Sequence, residues 1–270
     1  MNRFLRLFRF GNGIMGILGV VIGAFIAVGF DLGDHVLNLL ISCGVIVAFM
    51  AGGNSLNDYI DVEIDKTAHP ERPLPRGEIS PSTARTIGIS GIVIACVLSV
   101  AMMSAIVTVV VVIAAALMVS YELFLKQRGF IGNITIAVLT GMIFLFGGAV
   151  VGKVEWNLVI AAMAALVSVG REIAKDIQDM DSDEGRKTLP MMIGVKRASI
   201  VAAAFFVLGP ILSIWPLVDH MFGWLYCIVF AADALFIYSA FIIFRKADVS
   251  QRTAKYAMLI ALIAFVSGVI

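Results

Sequence analysis

The sequence predicts an all-α, polytopic membrane protein of nine spans, arranged as two parallel repeats. Three observations lead there. Hydrophobic residues make up 60% of the chain and charged residues 14%, with a mean hydropathy of +1.00, whereas a soluble domain carries about a quarter charged residues. Apolar runs long enough to cross a bilayer recur from end to end. An acidic pattern with one internal spacing occurs twice.

The spans read as residues 13–30, 36–55, 84–103, 106–124, 134–151, 156–174, 199–217, 222–244 and 254–270. The third and fourth are joined only through Ser104 and Ala105. The basic N-terminal segment leads into a run long enough to span, and no small-residue cleavage site stands out, so a cleaved signal peptide is not expected. With the N-terminus inside and sides alternating, every Lys and Arg except Lys153 falls on the inner face. Basic loops mark the cytoplasmic side, which places the C-terminus outside.

Cys43, Cys96 and Cys227 lie far apart in apolar runs, so neither a disulfide framework nor a zinc site is expected. Asp233 lies within the eighth span, where a carboxylate needs a partner or faces the bundle interior. A structural hydrogen bond and a functional role are both open for it.

After the second span the sequence reads NSLNDYIDVEIDKTAHPERPLPRGEIS. On a helix, Asn57, Asp58, Asp61 and Asp65 share one stripe. After the sixth span it reads REIAKDIQDMDSDEGRKTLP, and Asp176, Asp179 and Asp183 repeat the spacing of Asp58, Asp61 and Asp65. Arg72-Pro73-Leu74-Pro75 follows the first cluster and Lys187-Thr188-Leu189-Pro190 the second. Both clusters lie on the cytoplasmic side. Clustered carboxylates repel one another unless a cation neutralises them. Magnesium takes oxygen ligands and usually shares its shell with phosphates. Two facing clusters therefore suit a diphosphate held through Mg2+, with Arg72, Lys126 and Lys187 on the remaining phosphate oxygens. The loop of about 56–83 carries Pro70, Pro73, Pro75 and Pro81, which favours a shaped cap over a floppy one.

These residues resemble the UbiA superfamily of intramembrane prenyltransferases. Asn57 to Asp65 matches its N(D/Q)xxDxxxD signature, and Asp179 to Asp183 its DxxxD signature. The resemblance covers nearly the whole chain as one transmembrane domain. It implies spans ringed about a cavity open laterally to lipid, capped by the acidic loops of about 56–83 and 175–198. It implies that Asn57, Asp61, Asp65, Asp179 and Asp183 hold magnesium and diphosphate, the four aspartates being the catalytic set. Arg72 and Lys126 would contact diphosphate, Lys126 from a basic loop at 121–133 that begins with Tyr121.

The two acidic stretches and the Arg9-Phe10-Gly11-Asn12 entry to the first span look most like the archaeal ether-lipid branch. Its members add a second geranylgeranyl chain to geranylgeranylglyceryl phosphate. The implied partners are a prenyl diphosphate donor, a lipid acceptor and the membrane itself, with no nucleic acid and no protein partner. For a phosphate-bearing acceptor, Arg9, Arg171 and Lys175 are candidate cations. Asp58, Asp176 or a diphosphate oxygen are candidates to take the acceptor's proton.

Other readings remain. An aromatic prenyltransferase of the same superfamily would share both acidic motifs. A cation transporter would favour carboxylates at mid-membrane rather than at helix ends beside Lys and Arg. A CDP-alcohol phosphotransferase would need a DGxxAR continuation, missing after Asp58 and Asp61. A noncatalytic lipid-binding scaffold leaves the duplicated spacing unexplained.

Overall fold

A computed structural model describes residues 2–180 and 187–270. Among them every regular element is helical. A short α1 (Arg3–Leu7) precedes α2 (Phe10–Val28), and a 3-10 stretch (Gly29–His35) leads into α3 (Val36–Ile60). Then come α4 (Val62–Ala68), α5 (Pro81–Ala101) and α6 (Ala105–Ser120), which ends in a π turn (Tyr121–Leu125). The second half contains α7 (Phe130–Val150), α8 (Glu155–Gln178), α9 (Leu189–Ile193), α10 (Val195–Leu212) and α11 (Trp215–Val218). A 3-10 turn (Trp224–Ile228) opens α12 (Val229–Ile242), and α13 (Ala247–Val269) closes the chain.

Eight helical stretches among the described residues are long and apolar enough to cross a membrane, so the chain is a multi-pass membrane protein. The first, Phe10–Ile60, is not one rod. Gly29 breaks it with φ 59°, and α3 turns back to pack on α2. Local chemistry sets other ends. Ser80 Oγ accepts from the Thr83 N–H at 3.2 Å, with Pro81 in the first turn of α5. Ser104 Oγ accepts from the Val107 N–H at the start of α6.

Several helices run beyond their apolar stretches. α3 continues to Ile60, α8 to Gln178, and α13 begins at Ala247. Polar ends past the hydrocarbon can stay helical because water satisfies their side chains. The expected first cap loop is therefore partly helix, with α3 breaking at Asp61 and resuming as α4.

α2, α3, α5, α6 and α7 pack side by side in one group, and α8, α10, α12 and α13 in another. Contacts of α7 with α8 and of α2 with α13 join the groups. Glycine sets the closest approach between α3 and α5: a Cβ on Gly91 would lie 2.7 Å from the Ala48 carbonyl oxygen. Asn157 in α8 is fully buried and donates to the carbonyls of Gly23 (2.9 Å) and Phe144 (2.7 Å), tying α8 to α2 and α7. The two groups line a partly open cavity of about 2040 Å³.

Candidate active site

The cavity is two-natured. Its length is walled by apolar side chains such as Ile22, Val45, Val111, Phe144, Met163 and Phe236. Its charged residues gather at one end, where α2 begins and where α3, α6 and α8 finish. Asp233 is the exception among the described residues. It lines the wall from α12, with Oδ2 2.7 Å from the Ser213 Oγ.

At Asp61 the backbone leaves α3 with φ −90° and ψ 7°, its N–H still bonded to the Asn57 carbonyl at 2.9 Å. That break redirects the chain so that Asp61 and Asp65 both face the cavity, each 3% exposed. Asp179 ends α8 in nearly the same way, with φ −92°, ψ 3° and its N–H bonded to the Lys175 carbonyl at 2.9 Å. Asp179 also lines the cavity, so both acidic segments reach one space.

Cations thread the first segment. Lys126 Nζ lies 2.6 Å from Asp61 Oδ1 and 2.9 Å from Glu122 Oε2. The π turn supports this pairing: the Lys126 N–H bonds five residues back to the Tyr121 carbonyl at 3.0 Å, and Tyr121 lines the cavity. Asn57 Nδ2 donates to Glu122 Oε2 at 2.9 Å and to Asp61 Oδ2 at 3.3 Å. Arg72 Nη1 sits 2.5 Å from Asp65 Oδ2. Arg9, held in a left-handed turn (φ 48°) between α1 and α2, donates to Asn57 Oδ1 and Asp58 Oδ1, both at 2.8 Å. Beneath them α1 is anchored by the Arg6–Glu78 ion pair and by Leu7, buried against Leu74, Ile79 and Ala84.

The expected residues divide accordingly. Asn57, Asp61, Asp65, Arg72, Lys126, Asp179, Arg9, Asn12, Lys175, Arg171 and Tyr121 all line the cavity. Asp58 does not; one residue on from Asn57, it turns toward Arg9 and Arg72. Asp176 accepts from Asn133 Nδ2 at 2.9 Å and lines a small pocket that shares Tyr121, Lys126 and Glu172 with the large cavity rather than the large cavity itself. Lys187 is exposed and not part of its lining. Asp183 lies outside the described residues. Three charged groups were not anticipated: Glu122, 4% exposed, Glu172 of α8, and Lys255, which reaches the cavity from α13. The one signal for Glu122 was a carboxylate four residues before Lys126 at the end of an apolar run.

The donor set suits a hard divalent cation. Asp61, Asp65, Glu122 and Asp179 offer only oxygen, from separate helices around one space. Among the described residues no three carboxylates close a cage by themselves. Magnesium usually binds through one or two carboxylates and completes its shell with phosphate oxygens and water.

A helical membrane bundle with a lipid-sized cavity, apolar along its length and charged at one end, is built to act on a long-chain substrate with an anionic head. The chain belongs to the UbiA prenyltransferase family, whose sequence profile matches residues 16–265. The digeranylgeranylglyceryl phosphate synthase of Methanosphaera stadtmanae is 34% identical to it over 274 aligned positions, covering 99% of this chain and 98% of that protein. A solved structure concerned with digeranylgeranylglyceryl phosphate synthase in membranes is 33% identical and superposes with a TM-score of 0.86, over 99% and 97% of the two chains. A UbiA homologue from Archaeoglobus fulgidus, solved with GPP and Mg2+, shares the fold at a TM-score of 0.75 and 19% identity, over 99% and 98%.

Proposed function

We propose that this membrane prenyltransferase moves a geranylgeranyl group from its diphosphate to the free hydroxyl of geranylgeranylglyceryl phosphate, with Mg2+ as the metal. The observation that carries the reading is the convergence of two acidic helix ends, with their cations, on the charged end of one apolar cavity. Full-length likeness to digeranylgeranylglyceryl phosphate synthases supports the glyceryl phosphate acceptor over an aromatic one. That A. fulgidus homologue, bound to GPP and Mg2+, supports magnesium and a prenyl diphosphate donor.

Asn57, Asp61, Asp65, Asp179 and Asp183 would hold the metal and the diphosphate. When bound, magnesium supplies Lewis-acid stabilisation of the negative charge on the departing diphosphate. Arg72 and Lys126 donate to the diphosphate oxygens as that charge builds, and Lys187, which follows the second acidic segment in sequence, is a further candidate donor. The apolar walls hold the isoprenoid and keep water from capturing the allylic cation. As the C1–O bond breaks, the acceptor hydroxyl bonds to C1 and its proton passes to a diphosphate oxygen. Asp58 and Asp176 are occupied by Arg9 and Asn133, outside the cavity lining, which favours the diphosphate as the base.

We read 1–270 as a single transmembrane domain with nine crossings, taking Phe10–Ile60 as two. The N-terminus and both acidic segments are cytoplasmic and the C-terminus is outside. The matched helix ends at Asp61 and Asp179 support two parallel half-repeats. The test is a product assay on detergent-solubilised protein with geranylgeranyl diphosphate, magnesium and a panel of acceptors: geranylgeranylglyceryl phosphate, 4-hydroxybenzoate and a dihydroxynaphthoate. An EDTA-sensitive digeranylgeranylglyceryl phosphate is expected. A prenylated aromatic product instead overturns the acceptor.

A further inference from the structure

The cations lining the cavity fall into two groups. Beside the first acidic segment each has a carboxylate partner: Arg9 has Asp58, Arg72 has Asp65, and Lys126 has Asp61 and Glu122. The wall made by α8 and α13 is different. Lys175 and Lys255 line the cavity without an ion pair or hydrogen bond among the described residues. Arg171 gives Nη1 to Glu172 at 2.8 Å, but its Nε is buried with no acceptor. A buried N–H without a partner is costly, and a cavity ligand is what could supply one.

The three cations line one cavity from two helices, α8 and α13, that pack against each other. Arg171 and Lys175 are four residues apart on α8, where like charges repel unless an anion lies between them. Ile173 and Ala174, which flank Lys175 on its N-terminal side in α8, and Ala254, next to Lys255 in α13, belong to one buried cluster, and Lys255 lines the same cavity as the α8 pair.

We propose that Arg171, Lys175 and Lys255 form a second anion subsite that binds the phosphomonoester of the lipid acceptor, apart from the donor's diphosphate. The proposal rests on the transferase reading above. An acceptor hydroxyl must come within about 3–3.5 Å of the donor C1 to react. A glycerol unit is three carbons long, so its phosphate stays at the same charged end while its isoprenoid lies along the apolar wall. A phosphomonoester carries about −1.5 to −2 charge and three acceptor oxygens. One Arg N–H and two ammonium groups match it in charge and in donors.

The test compares steady-state kinetics of the wild type, Lys175→Gln, Lys255→Gln and the surface control Lys196→Gln. The acceptors are geranylgeranylglyceryl phosphate and the same glycerol ether without phosphate. For Lys175→Gln and Lys255→Gln the acceptor KM should rise roughly tenfold each with the phosphorylated acceptor. It should not change with the phosphate-free one, nor should the donor KM. Arg171→Gln should behave alike, with partial rescue in Arg171→Lys. A rise in the donor KM instead assigns these cations to the diphosphate and overturns the proposal, as does no change at all.

Equilibrium binding of geranylgeranylglyceryl phosphate to the same variants reads the subsite without turnover. If the wild type binds this lipid tightly and Lys255→Gln does not, yet neither makes product, the transferase reading fails and the subsite stands. If inorganic phosphate or an anionic phospholipid competes as strongly as the acceptor lipid, the assignment to the acceptor falls.

Discussion

Lys126 and Glu122 form a buried pair one turn apart, each side chain 4% exposed, and Asp61 closes the other side of the ammonium at 2.6 Å. One cation thus serves two carboxylates. Removing it in Lys126→Met leaves both without compensation, a loss of about 3–5 kcal/mol for a buried pair broken on one side. We expect a clear drop in thermal stability in detergent together with loss of turnover. Glu122→Gln keeps the shape and leaves Lys126 paired with Asp61. It should fold normally and lose activity by about tenfold or less, because Asn57 and Lys126 lose a shared anchor rather than their place. Equal destabilisation by the two variants would show that the pair does not work as described.

Asp61 and Asp179 are expected to be equivalent in function as they are in backbone conformation. Asp61→Asn and Asp179→Asn should each lower kcat by about a hundredfold or more, the scale for losing a group that stabilises transition-state charge. Both should also raise the magnesium concentration needed for half-maximal rate. Diphosphate release at several magnesium concentrations measures both effects. If either variant kept near wild-type turnover at saturating substrates, the two-segment site would be wrong.

Much of this was legible in the sequence, for physical reasons. Apolar runs of about twenty residues have few folded fates, so the membrane-spanning helices could be placed, though their polar extensions could not. The charged cluster at 57–65 was visible as spacing, but a stripe drawn on a continuous helix missed the break at Asp61 and the turning away of Asp58. Glu122 and Lys255 are single charges with no local pattern. Only packing shows that one is buried between Asn57 and Lys126 and that the other faces the cavity.

Gly91 tests the close contact of α3 and α5. Alanine there would gain helix propensity of about 1 kcal/mol. Its Cβ, however, would meet the Ala48 oxygen and the Gly52 Cα, both at 2.7 Å. These are backbone atoms of the neighbouring helix and cannot rotate aside, so the helices must separate. Overpacking of this kind costs about 1–3 kcal/mol. Gly91→Ala should therefore lower the unfolding temperature in detergent. Gly11→Ala, at a position where a Cβ meets nothing within 4 Å, should not.

Asp58 separates positioning from catalysis. Its side chain is 2% exposed, 2.8 Å from Arg9 and 3.6 Å from Arg72, and it does not line the cavity. Its task in this arrangement is to hold two guanidinium groups, one of which faces Asp65. Asp58→Asn keeps a hydrogen-bond acceptor for Arg9 but removes the charge, so the cations are held less firmly. We expect kcat/KM for the donor to fall about tenfold, while the magnesium concentration for half-maximal rate stays at the wild-type value. Asp61→Asn should shift that concentration, because its carboxylate faces the diphosphate end directly. Titrating magnesium against both variants distinguishes the roles: if Asp58→Asn moved the magnesium requirement as far as Asp61→Asn, Asp58 would belong to the metal-holding set.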